Sequence, residues 1–167
     1  PDRTGAAIFG LDCAASPEDQ ARNILLPLKE VEMKREPIPL KILLVDDETH
    51  MIRLFKTELD KWFEPVQTAD NGSEALQKIQ AEAFDLLVLD YWMPYMDGTE
   101  VIDILCLMEQ GRNLPVIMLL AKTASDEFNR RMWEWNDPGV VGTLMKPFHP
   151  AELSFMIRQL WEQWSVE

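Results

Sequence analysis

At 167 residues with 47% apolar side chains, the chain suits one domain with a substantial core and an appendage. A formal charge of −13 argues against direct binding to a nucleic-acid backbone, which needs basic patches, and no apolar run approaches the ~18 residues of a membrane span. Cys13 and Cys106 are too few for a disulfide framework or a zinc site, so a reducing, cytoplasmic setting is expected.

The first 39 residues read as an extension or linker with a helix. "PDRTGAAIFG" lacks the basic-then-apolar order of a secretory signal, and a chain that begins with Pro is expected to be a fragment or a processed product. Ser16 suits a helix cap, with Pro17 at the first position and Glu18 and Asp19 behind it. Ala21, Ile24, Leu25, Leu28 and Val31 then form an apolar stripe, which Pro27 kinks or breaks, and "KREPIP" (34–39) has linker character. Formal charge divides as −2 over residues 1–40 and −11 over residues 41–167. The acidity therefore belongs to the main domain, assigned to residues 40–167.

From Lys41 onward strand-like and helix-like patterns alternate. "KILLV" (41–45) has strand length, and Met51, Ile52, Leu54, Phe55, Leu59 and Trp62 follow at helical spacing. "EPVQTAD" is a weaker strand, Asn71-Gly72 marks a turn, and Ser73 is the expected cap of a helix whose inward stripe is Ala75, Leu76 and Ile79. "DLLVL" (85–89) is the third strand. After Asp97-Gly98 comes a helix with Val101, Ile102, Leu105 and Met108 in phase, stopped by Gly111. "LPVIMLL" (114–120) is the fourth strand, and a helix opened by Ser125 runs to Pro138-Gly139. "VVGTLM" (140–145) is the fifth strand, and "PAELSFMIRQLWEQW" (150–164) the last helix. Five rounds of strand and helix predict a doubly wound parallel α/β sheet, with its functional crevice at the carboxyl ends of the strands.

Carboxylates collect at those ends. The first strand runs into Asp46-Asp47, and the third, "LLVLD", ends on Asp90. A buried carboxylate is expensive unless paired, hydrogen-bonded or bound to a metal, and three together repel unless a cation sits among them. Oxygen-only ligands suit Mg²⁺. The fifth strand delivers one ammonium, Lys146, to the same rim. Acid pair, central Asp, hard metal and lysine together describe a phosphoryl-acceptor site with Asp90 as nucleophile. Taken singly, Asp46 and Asp47 would more often cap a helix, and Lys146 would be a solvated surface residue. His50 and His149 read as surface or cap residues.

With these motifs in order, residues from about 40 to 165 resemble the receiver domain of two-component response regulators. The resemblance rests on "ILLVDDE" (42–48), "LLVLDYWMPYMDG" (86–98), "LPVIMLLAK" (114–122) and "GVVGTLMKPF" (139–148). It implies a flavodoxin-like sheet of order 2-1-3-4-5. It also implies Mg²⁺ held by Asp47, Asp90 and the backbone carbonyl of Trp92, with Asp46 assisting through water. Lys146 is expected to contact Asp90 or its phosphoryl group, with a cis Lys146-Pro147 peptide. The phosphoryl group is expected from a histidine kinase or phosphotransfer protein.

The chain departs from that pattern at two positions. Leu120 stands where the family carries a Thr or Ser hydroxyl, and Thr143 stands where it favours Tyr or Phe. The usual hydroxyl–aromatic switch is altered at both ends, so the alternative to a phosphoacceptor is a pseudo-receiver, an interaction module independent of phosphorylation. An aspartyl-phosphate phosphatase is disfavoured because Trp92 replaces the carboxylate such enzymes use as acid and base. Trp133, Trp135, Trp161 and Trp164 fall on the last two predicted helices. With the fifth strand these helices form a face on which the resemblance implies a homodimer or partner contact. The 40-residue extension favours a receiver cut from a hybrid kinase or larger regulator over a stand-alone protein.

Overall fold

Four consecutive apolar residues, Ile42–Val45, form β1, and all four are buried. A strand hidden on both faces must lie inside a sheet with layers on either side, which sets the architecture. The computed structural model describes residues 36–121 and 139–165. In chain order these are β1, α1 (Thr49–Leu59), β2 (Gln67–Ala69), α2 (Gly72–Ala81), β3 (Leu86–Asp90), α3 (Gly98–Leu107), β4 (Val116–Ala121), β5 (Val140–Lys146) and α4 (Pro150–Trp164). The strands form one parallel sheet in the order β2-β1-β3-β4-β5, as expected from the sequence. The expected helix at 16–31 and the one opened by Ser125, with Trp133 and Trp135, lie outside the described residues.

Alternation along the strands divides the core in two. Leu43, Val45, Leu87, Leu89, Met118 and Leu120 face α2 and α3, meeting Ala75, Ile79, Val101, Ile102 and Leu105. Ile42, Leu44, Leu86, Val88, Ile117 and Leu119 face α1 and α4, meeting Phe55, Leu59, Leu153 and Ile157. Each fully buried Leu or Ile is worth about 1.5–3 kcal/mol, so β1 and β3 anchor both layers.

The structure corrects several sequence expectations at element ends. Asn71 caps α2 in place of Ser73: it is extended (φ −160°, ψ 165°) and its side chain accepts from the Glu74 N–H, leaving Ser73 in the first turn. α3 ends at Leu107, before Gly111. A Cβ on Gly111 would lie 2.7 Å from Leu105 Cδ2 and 2.9 Å from the Leu105 carbonyl oxygen, so the glycine serves a chain folding back on its own helix. Leu54 is 50% exposed and does not join the inward stripe of α1, which buries Phe55 and Leu59.

Candidate functional site

β1 and β3 are direct neighbours in parallel register, Val45 opposite Leu89, so the residues that follow on each leave the sheet together. Oxygens of Asp46, Asp47 and Asp90 lie within 4.8 Å of one another, and no other such cluster of potential metal ligands occurs among the described residues. Asp46 and Asp90 are buried, and Asp47 is exposed. Asp46 accepts a hydrogen bond from the Glu48 N–H at 2.9 Å, which ties it to the start of α1.

Lys146 arrives from β5, two strands away from β3. Its Nζ lies 2.9 Å from Asp46 Oδ2 and 3.0 Å from Asp90 Oδ1. The expectation of a Lys146–Asp90 contact is met, and the additional bond to Asp46 was missed. Asp46, which the resemblance implies assists a metal through water, is fully buried in the fold and bonds the Lys146 ammonium. The Lys146-Pro147 peptide is cis.

Burial is the largest influence on Asp90, and it pushes the carboxyl up from 3.8 to about 6; Lys146 opposes it, while the charges of Asp46 and Asp47 reinforce it. Burial pulls the Lys146 ammonium down, but its bonds to Asp46 and Asp90 and their charges outweigh that and hold it above its ordinary value. One ammonium against three carboxylates leaves an excess of negative charge in an oxygen-only pocket. That donor set fits a hard divalent cation.

The loop after Asp90 is held by Gly98, whose N–H donates to the Tyr91 carbonyl at 2.9 Å. A Cβ there would come within 2.8 Å of the Asp90 carbonyl oxygen, so α3 starts hard against the end of β3. Asp97 caps that helix in a reciprocal box with Glu100. Within the loop, the Trp92 side chain is 53% exposed and meets Tyr91 edge-on. Tyr95 takes the left-handed conformation (φ 70°) with its side chain in solvent.

Leu120 is buried at the end of β4 in the core beneath α2 and α3. Its register partner on β5 is Met145; Thr143 pairs with Met118 and is exposed. Both altered positions therefore share one face of the sheet, two residues apart along the strands. His149 caps α4 through Nδ1, which accepts from the Ala151 N–H, as expected of a cap residue. Trp161 and Trp164 are half-buried against the core beneath α1 and α4, and on α4 the large exposed apolar side chain is Phe155.

The sequence matches the family described as "Response regulator receiver domain" over residues 42–158. It is 36% identical over 122 residues to the alkaline phosphatase synthesis transcriptional regulatory protein PhoP of Bacillus subtilis (strain 168), a match over 72% of this chain and 48% of that protein. The chain thus spans about half the length of that relative. It is 34% identical over 125 residues to the chemotaxis protein CheY-3 of Vibrio cholerae, covering 74% of this chain and 93% of the relative. Among solved structures, the chemotaxis response regulator CheY4 of Vibrio cholerae superposes with a TM-score of 0.63 at 31% identity, covering 72% and 98% of the two chains. The structure described as an adenylate cyclase from Rhodopirellula baltica superposes with a TM-score of 0.66 at 29% identity, covering 77% and 92%.

Proposed function

Because this chain belongs to the response regulator receiver domain family, a phosphoacceptor module of two-component signalling, we propose that Asp90 is the residue that accepts the phosphoryl group. The observation that carries this reading is the Lys146 ammonium, 3.0 Å from a buried Asp90 at the acidic end of the sheet. With its carboxyl near 6, Asp90 is largely ionised at neutral pH and presents a nucleophilic oxygen. That oxygen forms a bond to phosphorus as the bond between phosphorus and the donor's leaving group breaks. The electron pair departs with the leaving group, and the product is an acyl phosphate. Lys146, bonded to the Asp90 carboxylate, would offset negative charge on the phosphoryl oxygens.

Receiver domains bind Mg²⁺ at an acidic pocket, and the oxygen-only cluster here suits one. Asp47, Asp90 and the Trp92 carbonyl would hold the ion, with Asp46 assisting, and the ion would supply positive charge against the phosphoryl oxygens. Receiver domains take their phosphoryl group from histidine kinases or phosphotransfer proteins. For an output surface we assign β5 and α4 to contact with a second copy or a partner. Support comes from Phe155, 60% exposed, and from an open, largely apolar groove of about 550 Å³ beside it, lined by Leu144, Met156 and Leu160 among others. Among the described residues no helix is long and apolar enough to cross a membrane.

The test is intact mass after incubation with Mg²⁺ and a small phosphoryl donor, beside Asp90→Asn. One added phosphoryl group, lost in the variant, supports the assignment. No addition to the wild type, together with failure to bind a beryllofluoride mimic, overturns it.

A further inference from the structure

Lys146 and Asp46 meet although β1 and β5 are not neighbours: β3 and β4 lie between them. The sheet alone leaves their separation open to small changes in twist and stagger across three strand pairings. A direct tie between the two ends would fix it, and α1 supplies one. α1 starts just after the acid pair, where Asp46 accepts from the Glu48 N–H. Two turns along, Phe55 is 1% exposed and points into the core facing α4. Its ring lies parallel to that of Phe148, with centroids 5.0 Å apart and 7° between planes. Phe148 is two residues past Lys146, and the next residue, His149, is fixed as the cap of α4 by a reciprocal box with Glu152. The chain from Lys146 to the start of α4 is thus clamped at Phe148 onto the helix that grows out of the acid pair.

We infer that the Phe55–Phe148 stack is a positioning pair for Lys146, setting the reach of its ammonium to Asp46 and to the acceptor Asp90. The inference rests on the phosphoacceptor reading for its kinetic consequence, but not for its geometric one. Neither ring touches the reacting atoms; they act through the lysine. A misplacement of about 1 Å in a catalytic constellation can cost on the order of 100-fold in rate, and a Leu in place of either Phe leaves room for part of such a shift.

The experiment is a double-mutant cycle on the full chain, pairing Phe55→Leu with Lys146→Ala. Phe55 is chosen because it is remote in sequence from Lys146. The rate of phosphoryl addition from a small donor with Mg²⁺ is followed by intact mass, and stability is followed by urea denaturation in chelator. Phe55→Leu is expected to slow addition by roughly tenfold in the Lys146 background and to have little effect in the Lys146→Ala background, where there is no ammonium to place. Phe148→Tyr, which keeps the ring, should retain most of the rate, and Phe148→Leu should not. Equal slowing by Phe55→Leu in both backgrounds would mean that the pair only stabilises the fold, and would overturn the inference. If the wild type takes no phosphoryl group, the phosphoacceptor reading fails separately, and the stability cycle decides this one. Non-additivity of Phe55→Leu and Lys146→Ala in urea sustains the positioning role, and strict additivity removes it.

Discussion

Replacing Asp90 with Asn should stabilise the metal-free protein at neutral pH, although it removes a charged partner of Lys146. Asp90 is 4% exposed, and burial, reinforced by Asp46 and Asp47 against the pull of Lys146, raises its carboxyl from 3.8 to about 6. On unfolding, the carboxyl returns to its ordinary value. Between the two values the folded chain keeps a proton that the unfolded chain has released, so this group's contribution to stability falls as pH rises and is lost by about pH 6. A displacement of that size corresponds to ~3 kcal/mol. Asn matches the shape without the charge, and Lys146 retains Asp46 at 2.9 Å. The variant should therefore gain about 1–3 kcal/mol near pH 7.5, with more than half of the gain gone by about pH 4.5. Urea denaturation of both proteins in chelator, followed by tryptophan fluorescence across that range, measures it. Added Mg²⁺ should narrow the gap by binding the folded wild type more tightly. A variant less stable than wild type at neutral pH, or an advantage independent of pH, would refute the reasoning.

Three further substitutions probe the same region. Lys146→Met leaves Asp46, 0% exposed, without its ammonium, and should cost about 3 kcal/mol in urea denaturation; a loss below about 1 kcal/mol would show that the ion pair adds little to the fold. Gly98→Ala places a Cβ 2.8 Å from the Asp90 carbonyl oxygen and 3.1 Å from Tyr91 Cα, both backbone atoms. It should destabilise by about 1–3 kcal/mol despite alanine's better helix propensity, and an unchanged urea midpoint would show that α3 can slide. Leu120→Thr puts a hydroxyl into an apolar site 3% exposed and should cost about 1–3 kcal/mol in the metal-free protein. Beryllofluoride with Mg²⁺ should then stabilise the variant more than the wild type, because only the variant can donate a hydrogen bond; equal stabilisation would place position 120 out of reach of the site.

The central strands were legible because burial on both faces leaves only apolar residues along β1 and β3, and a charge at the end of such a run is conspicuous. The meeting of Asp46, Asp47, Asp90 and Lys146 followed from strand ends alone, since parallel order brings carboxyl ends to one rim. Details set by side-chain reach were less accessible. That Lys146 bonds Asp46 as well as Asp90 depends on sheet twist, which no motif encodes. Asn71 and Ser73 are both good caps in sequence, and only backbone conformation chose Asn71. Leu54 sits at helical spacing with its neighbours, yet the packing of α4 on α1 covers Phe55 and leaves Leu54 in solvent. The same packing joins Ser154 Oγ to Glu58 Oε1 at 3.2 Å, and it sets Arg158 4.0 Å above the Trp62 ring. Such pairs lie far apart in the chain and carry no local signature.

The contact between Lys146 and Asp46 spans 100 residues. As the chain leaves the ribosome, the acid pair is made early and the ammonium that balances it arrives only with the final strand. β1 must also wait for β3, because a parallel partner cannot arrive through a short hairpin. Long-range closure of this kind slows folding relative to local contacts, so nascent chains dwell with apolar strand edges open and carboxylates unbalanced. Until β5 docks, the carboxylates at the ends of β1 and β3 lack the ammonium that pairs with them in the finished fold.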